Sequence, residues 1–346
     1  MEKQEKTSFG KLTIDYIVKS MNGMAYGLFS TLIIATIIGT IGGFFNETSG
    51  IYQFLLNLST ILKLLMGMGI GIGIAWVFKL EGLKLIAAAA AGGIASYMAG
   101  TPGFKIGDPL VIYFVIIVTV EATKFVFRKK TPVDIIIIPL FVVVVSGLIT
   151  VIIDQPIMFI TKAIGEYIAI ATFYQPFLMG IVIAVLMGMA LTAPISSAAI
   201  AITIGLTGIA GGAAVVGCSV QMIGFAVMSR KDNNIGTVIS VGIGTSMLQF
   251  KNIVRKPIIW LPTIIVSAIL GPIATVVLKT DTSPIGAGMG TSGLVGQIDT
   301  FKQMGNTTEM WLSIIGLMIV LPIILVYITD IIFRRAGLIK PGDLKI

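Results

Sequence analysis

Histidine is absent from the 346 residues, and cysteine occurs once, at Cys218. Without histidine the chain carries no imidazole acid–base chemistry, no histidine-containing metal site and no phosphohistidine relay of its own. A lone cysteine excludes an internal disulfide, and in its apolar surroundings Cys218 reads as packing. Charge is also scarce: 12% of residues are charged, against about 25% in soluble domains. No G-x-x-x-x-G-K-[ST] phosphate loop, G-x-S-x-G elbow or CxxC pair occurs, and the longest polar stretch is the N-terminal arm. Neither ATP-driven transport nor covalent catalysis is expected within this chain, and no cofactor or metal is expected. Any energy source is then a gradient or a partner protein.

What is present is apolar. Hydrophobic residues make up 56% of the chain and mean hydropathy is +1.01. The long continuous runs predict an all-α integral membrane protein, because only helices or closed barrels satisfy their backbone within lipid and barrels alternate in polarity. About ten crossings are expected, at 21–44, 52–78, 84–99, 109–127, 133–153, 172–191, 195–214, 215–229, 257–278 and 310–333. Most of the 24 Lys and Arg residues fall on one side of that arrangement, while Lys105, Lys162, Lys279 and Lys302 fall on the other. Positive residues collect on the cytoplasmic face, so both termini are expected to be cytoplasmic. The net charge of +8 is thereby explained by helix-end anchoring, and no nucleic-acid partner is expected. The polar start at 1–20 lacks the features of a cleaved signal and is read as a cytoplasmic arm.

Two stretches break the apolar pattern. Gly-x-Gly-Thr-Ser occurs at Gly242–Ser246 and again at Gly288–Ser292. The first copy lies in 233–250, bracketed by cytoplasmic charges and too short to cross and return; the second lies in the uncharged, Gly-rich 282–297. Both are expected to be re-entrant loops entering from opposite faces. Glycine lets the backbone leave helical geometry, and the freed amides and carbonyls with Thr and Ser hydroxyls would line a wet cavity. The competing reading is glycine-mediated helix packing. The expected solute-binding residues are Gly242, Gly244, Thr245, Ser246 and Gln249 from the first loop. Gly288, Gly290, Thr291, Ser292 and Gln297 come from the second, with Ser196, Ser197 and Gln221 assisting. Thr245 and Thr291 are expected to face one cavity.

Other polar residues are read more plainly. Pro194, with Thr192, Ser196 and Ser197 around it, marks either a broken helix or a turn between spans. Gln221 suits interhelix packing as well as ligand contact. Lys63 is read as snorkelling from an interfacial helix, and Glu121 as an ion pair with Lys124 at i+3. Asn252 and Arg255 border the first loop on its cytoplasmic side.

The segments "TAPISSAAIAI", "GIGTSMLQFKNIVRKPIIWLPTIIVSAILGPIA" and "TSPIGAGMGTSGLVGQI" resemble enzyme IIC, the membrane-embedded sugar-permease component of the bacterial phosphotransferase system, in the group that includes perfringolysin regulator-like proteins. The resemblance runs from about residue 12 to 335 and is most specific over 240–300. It implies a bacterial inner-membrane location, about ten helices with two re-entrant loops, and a homodimer built by an N-terminal scaffold half, 21–153. A C-terminal transport half, 154–335, would move by an elevator-like shift, and 336–346 would form a cytoplasmic tail. It also implies a sugar as solute and a separate cytoplasmic phospho-carrier subunit. The sequence departs from the family in two respects. Better-known members have a Gly-Ile-Thr-Glu type motif whose glutamate binds the sugar, whereas the second loop here reads Gly290-Thr291-Ser292-Gly293 without an acid, and an often important histidine is missing. A gradient-driven permease for another metabolite and a membrane solute sensor therefore stand as alternatives.

Overall fold

The computed structural model describes residues 9–99 and 107–346. The arm residues 1–8 and Lys105 lie outside the described residues. Every named element is helical. Helix α1 (Phe9–Leu28) passes through a π-helical turn at Phe29–Ile33 into α2 (Ile34–Gly42), and α3 (Gly50–Leu64), α4 (Met66–Val77) and α5 (Leu83–Met98) follow. The long helices α6 (Pro109–Val126) and α7 (Asp134–Ala171) lead to α8 (Pro176–Thr192), the short α9 (Ser197–Thr203) and α10 (Gly208–Ser229).

Two interrupted helical hairpins complete the second half. The first comprises α11 (Ile235–Ile239), a π turn at Ser240–Gly244, a 3-10 turn at Ser246–Gln249 and α12 (Phe250–Arg255). Helix α13 (Leu261–Pro272) then leads to the second hairpin, α14 (Pro284–Ala287) and α15 (Val295–Met304), before α16 (Thr308–Trp311) and α17 (Leu321–Arg335).

Among the described residues, six helical segments are long and apolar enough to cross a membrane, or seven if the bent pair α3–α4 is one span. They include expected spans 21–44, 109–127, 257–278 and 310–333; the helix expected at 133–153 continues to Ala171. At about 1.5 Å per residue its 38 residues reach about 57 Å, well beyond a hydrocarbon core of about 30 Å. Segments 84–99 and 172–191 form shorter apolar helices.

The expected boundary between 195–214 and 215–229 is corrected by the structure. Helix α9 ends at Thr203, and α10 runs unbroken from Gly208 to Ser229. Gly205 and Gly208 take positive φ values of 62° and 63°, which end one helix and start the next where other residues would be strained. The run 52–78 is likewise bent by 49° after Leu64, which places Lys63 in the last turn of α3.

The N-terminal helices meet through their backbones. A Cβ on Gly23 would lie 2.5 Å from the Gly73 carbonyl oxygen, and one on Gly92 would lie 1.9 Å from that of Gly67. These contacts draw α1, α4 and α5 together as small residues do in membrane bundles. One apolar core gathers residues from Met24 to Ile157. Two others form around α10, one with α8 and α9 and one with α13 and α17.

Candidate functional site

The two pentapeptides meet in space. Thr291 donates its hydroxyl to the carbonyl oxygen of Gly242, and Ser292 donates to that of Gly244 at 2.9 Å. Helical geometry fails in both hairpins at these motifs. Thr245 is extended, with φ −162° and ψ 140°, and Gly290 and Gly293 each have φ +53°. A π turn followed by an extended residue frees the Gly242 and Gly244 carbonyls from the ladder, and the second motif's hydroxyls satisfy them. The Thr291 hydroxyl is therefore spent on the other loop, and Thr245 Oγ1 accepts from the Met247 amide at 3.2 Å to cap its own 3-10 turn.

Space explains the glycines unequally. A Cβ on Gly290 would lie 2.7 Å from the Cys218 backbone, and one on Gly288 would lie 2.5 Å from Ala198 Cα. On Gly242 and Gly244 the nearest atoms are side-chain carbons at 3.2 and 3.3 Å, from Ala226 and from Ile33 and Phe29. The first hairpin tip thus rests on the π turn of the first span. The second rests on α2, since a Cβ on Gly293 would lie 3.0 Å from Thr36 Cγ2.

A hydroxyl–amide cluster extends from Ser246. Its hydroxyl shares a 2.8 Å hydrogen bond with Thr192, the last residue of α8. Gln221 Oε1, at the centre of α10, accepts from Trp260 Nε1 and Thr263 Oγ1, each at 3.0 Å, and from Thr192 Oγ1 at 3.3 Å. Indole N–H only donates, so the amide oxygen must be the atom facing Trp260. The Gln221 Nε2 is left buried without a hydrogen bond. Gln297 is its counterpart in the second hairpin: Nε2 reaches Ser219 Oγ at 3.4 Å, while Oε1 is buried and unpaired.

The break around Pro194 belongs to the same assembly. Helix α8 ends at Thr192, Ala193 is extended, and α9 begins at Ser197. Ser197 donates to the Gly288 carbonyl at 2.7 Å, and the Ser196 amide donates to Asp108 Oδ2 at 3.2 Å. Asp108 also caps α6 by accepting from the Leu110 amide at 2.8 Å. This carboxylate ties the first half of the chain to the broken helix, and burial pushes its carboxyl up from the ordinary value.

Gln249 faces elsewhere. Its Nε2 donates to the Leu344 carbonyl at 2.9 Å, and its Oε1 accepts from Asn252 Nδ2 at 2.7 Å. It belongs to a clamp between the first hairpin and the C-terminal tail. Asp232 accepts from the Gly342 and Leu344 amides at 2.9 and 3.1 Å, and Lys256 lies 2.6 Å from Asp343.

Several of these partners escaped the sequence reading. Trp260, Thr263 and Asp108 lie far along the chain from the residues they hold, and the π turn at 29–33 has no sequence signature. Asp330 was missed as well, although its position inside expected span 310–333, where a carboxylate demands a partner, could have marked it. It is buried and meets Arg334 Nε at 2.8 Å. Glu121 pairs with Lys124 at 2.7 Å as the i+3 spacing indicated, and Tyr16 donates to the same Oε1 atom at 2.7 Å. Cys218 is buried and its thiol points at the Met187 and Ala287 carbonyls.

Apolar helices of membrane-crossing length around two broken hairpins define a multi-pass helical membrane protein. The chain belongs to the phosphotransferase-system EIIC family: the family model described as "Phosphotransferase system, EIIC" matches residues 18–346. It is accordingly a membrane permease component of such a system. No curated protein and no solved structure matched the chain.

Proposed function

We propose that this chain is the sugar-translocating subunit of a phosphoenolpyruvate-dependent phosphotransferase complex in the bacterial inner membrane. In this reading the hairpins 233–250 and 282–297 are re-entrant loops, both termini are cytoplasmic, and 21–153 forms the scaffold through which two copies pair. The second half carries the solute. A separate cytoplasmic phospho-carrier subunit supplies the phosphoryl group, since this chain has no histidine and its one cysteine is buried.

The observation that carries the reading is the pair of half-satisfied amides. Gln221 Nε2 and Gln297 Oε1 are buried without hydrogen-bond partners, and leaving such atoms unpaired costs about 1–3 kcal/mol each. One is a donor and the other an acceptor, and a hydroxyl is both. A polyhydroxylic solute entering between α10 and the hairpins would complete them, while the Thr192, Ser246, Thr291 and Ser292 hydroxyls would exchange internal partners for solute ones. The protein then contributes position and a neutral hydrogen-bonding cage to a transfer whose reactive group arrives from outside.

The test is uptake of a labelled carbohydrate panel into cells expressing the chain, with and without a working phosphotransferase relay, followed by analysis of the internal label. Phosphorylated product that vanishes without the relay is expected. Uptake that survives loss of the relay but collapses with the ion gradient would replace this reading with a gradient-driven permease. Solute binding with zero flux would make the protein a sensor.

A further inference from the structure

The break at 193–196 is the piece of chain that joins the contacts of both hairpins. Thr192, before it, shares a 2.8 Å hydrogen bond with Ser246 of the first hairpin, and Ser197, after it, donates to the Gly288 carbonyl of the second at 2.7 Å. From the first half of the chain it is held by a carboxylate, because the Ser196 amide donates to Asp108 Oδ2 at 3.2 Å. Asp108 is 7% exposed, and its other oxygen is already taken: Oδ1 accepts from the Leu110 amide at 2.8 Å.

An ionised carboxylate accepts with both oxygens, whereas a protonated one turns one of them into a donor. Two amides then compete for a single carbonyl oxygen. The Leu110 bond is the shorter and closes a cap two residues along the chain, while the Ser196 bond is longer and spans 88 positions. The Ser196 bond is the one that opens.

The surroundings favour that proton. No ion pair holds Asp108 among the described residues. The charged group that faces it is another acid, Asp154 of α7, whose field opposes ionisation. Asp154 Oδ1 is itself buried without a hydrogen bond. Helices α8 and α9 and the break between them contain no charged residue. Asp108 lies beside the Ser96–Ala99 end of α5 and at the start of α6, whereas Lys84 of α5 and the Glu121–Lys124 pair of α6 sit at the opposite ends of those helices. Burial pushes the Asp108 carboxyl up and its amide bonds pull it back, so proton binding and the Ser196 bond each weaken the other.

We infer that Asp108 is a proton-sensitive positioning residue: ionised, it fixes the break against the first half, and protonated, it releases Ser196 and with it the segment on which both hairpins depend. The inference goes beyond the proposed function, because it concerns how the two halves are joined and holds for any solute.

The test is hydrogen–deuterium exchange of the full-length protein in detergent from about pH 5 to about pH 7.5, where a buried carboxyl titrates. Rates are corrected for the intrinsic pH dependence of amide exchange and read on peptides covering 193–199. Protection there should fall several-fold as pH drops, while a peptide within α4 stays protected. Asp108→Asn, with one acceptor oxygen and a donor in the same shape, should show the low protection of the acid form at every pH. Asp154→Asn should keep the fall but move its midpoint to lower pH, a shift that a purely structural role for Asp108 would not produce. Wild-type protection that is constant with pH would overturn the inference. So would a fall shared by α4, which is general acid unfolding, or one that survives in Asp108→Asn. If Asp108→Asn does not fold, Asp154→Asn decides, and a midpoint that stays put or a titration that disappears overturns the inference.

Discussion

Thr291 donates its hydroxyl to the carbonyl oxygen of Gly242, so two copies of one pentapeptide bond to each other in unlike roles. The second copy gives side-chain donors and the first gives main-chain acceptors, and the repeat is complementary where a symmetric pairing would be redundant. Equivalent positions should therefore respond differently to mutation.

Thr291→Val keeps the shape of the side chain and leaves the buried Gly242 carbonyl unsatisfied, a loss of about 1–3 kcal/mol. Thr245→Val removes a local cap, a loss of about 1 kcal/mol. Melting of the purified variants in detergent should place Thr291→Val below Thr245→Val, with uptake falling in the same order.

Gly290→Ala should be far more damaging than Gly244→Ala. The first variant must hold φ +53° and set a methyl 2.7 Å from the Cys218 backbone, whereas the second meets side-chain carbons of Phe29 and Ile33 at 3.3 Å. Folded yield by size-exclusion chromatography should collapse for the first and be largely kept for the second.

Gln221→Leu strips the acceptor from Trp260, Thr263 and Thr192 together. In a background with Trp76 and Trp311 replaced by Phe, Trp260 emission should shift and solute uptake should be lost. Gln221→Glu keeps an acceptor and should preserve the emission, though with weaker uptake because its orphan donor is gone.

Stability should rise with pH across the window set by Lys251, whose ammonium titrates near 8 when folded and at 10.5 unperturbed. Between those values the unfolded chain binds a proton that the folded one does not, so raising pH favours folding. Thermal midpoints of wild type should climb through that window, and Lys251→Met should flatten the climb.

Truncation before residue 338 removes Leu344, which is fully buried, and the acceptors of Asn233, Gln249 and Asn252. Limited proteolysis should then cut within 233–256 many times faster than in the full chain, and Leu344→Ala should do so to a lesser degree, in line with a loss of about 2–5 kcal/mol.

How much of this was legible depended on the range of the interaction. Span chemistry is local, so hydropathy located most long helices and the charges explained Glu121 with Lys124. The glycine motifs marked two of the places where helices break, because glycine acts on its own backbone. Gln249 shows the limit: its place beside the motif suggested a ligand contact, but its partner is Leu344, ninety-five positions away. The Gly208 start of α10 was equally hidden, since an apolar run gives one hydropathy whether the chain is broken at 204–207 or at 214. Gln221 was visible as an amide in an apolar run, while Trp260 and Thr263 became its donors only once α13 packed beside α10.

The glycine seam that joins α1, α4 and α5 leaves almost no side chain between the three backbones. Heat that lets a leucine-lined interface hop among rotamers finds nothing to rotate there, so the slab is stiff in the way a laminate is stiff, and it tilts as one piece or not at all. Its tolerance of sequence drift is correspondingly low, because the smallest possible addition, one methyl, already strikes main chain. The second half of the chain bends at 193–196, 245 and 288–294, where the helical ladder is already interrupted.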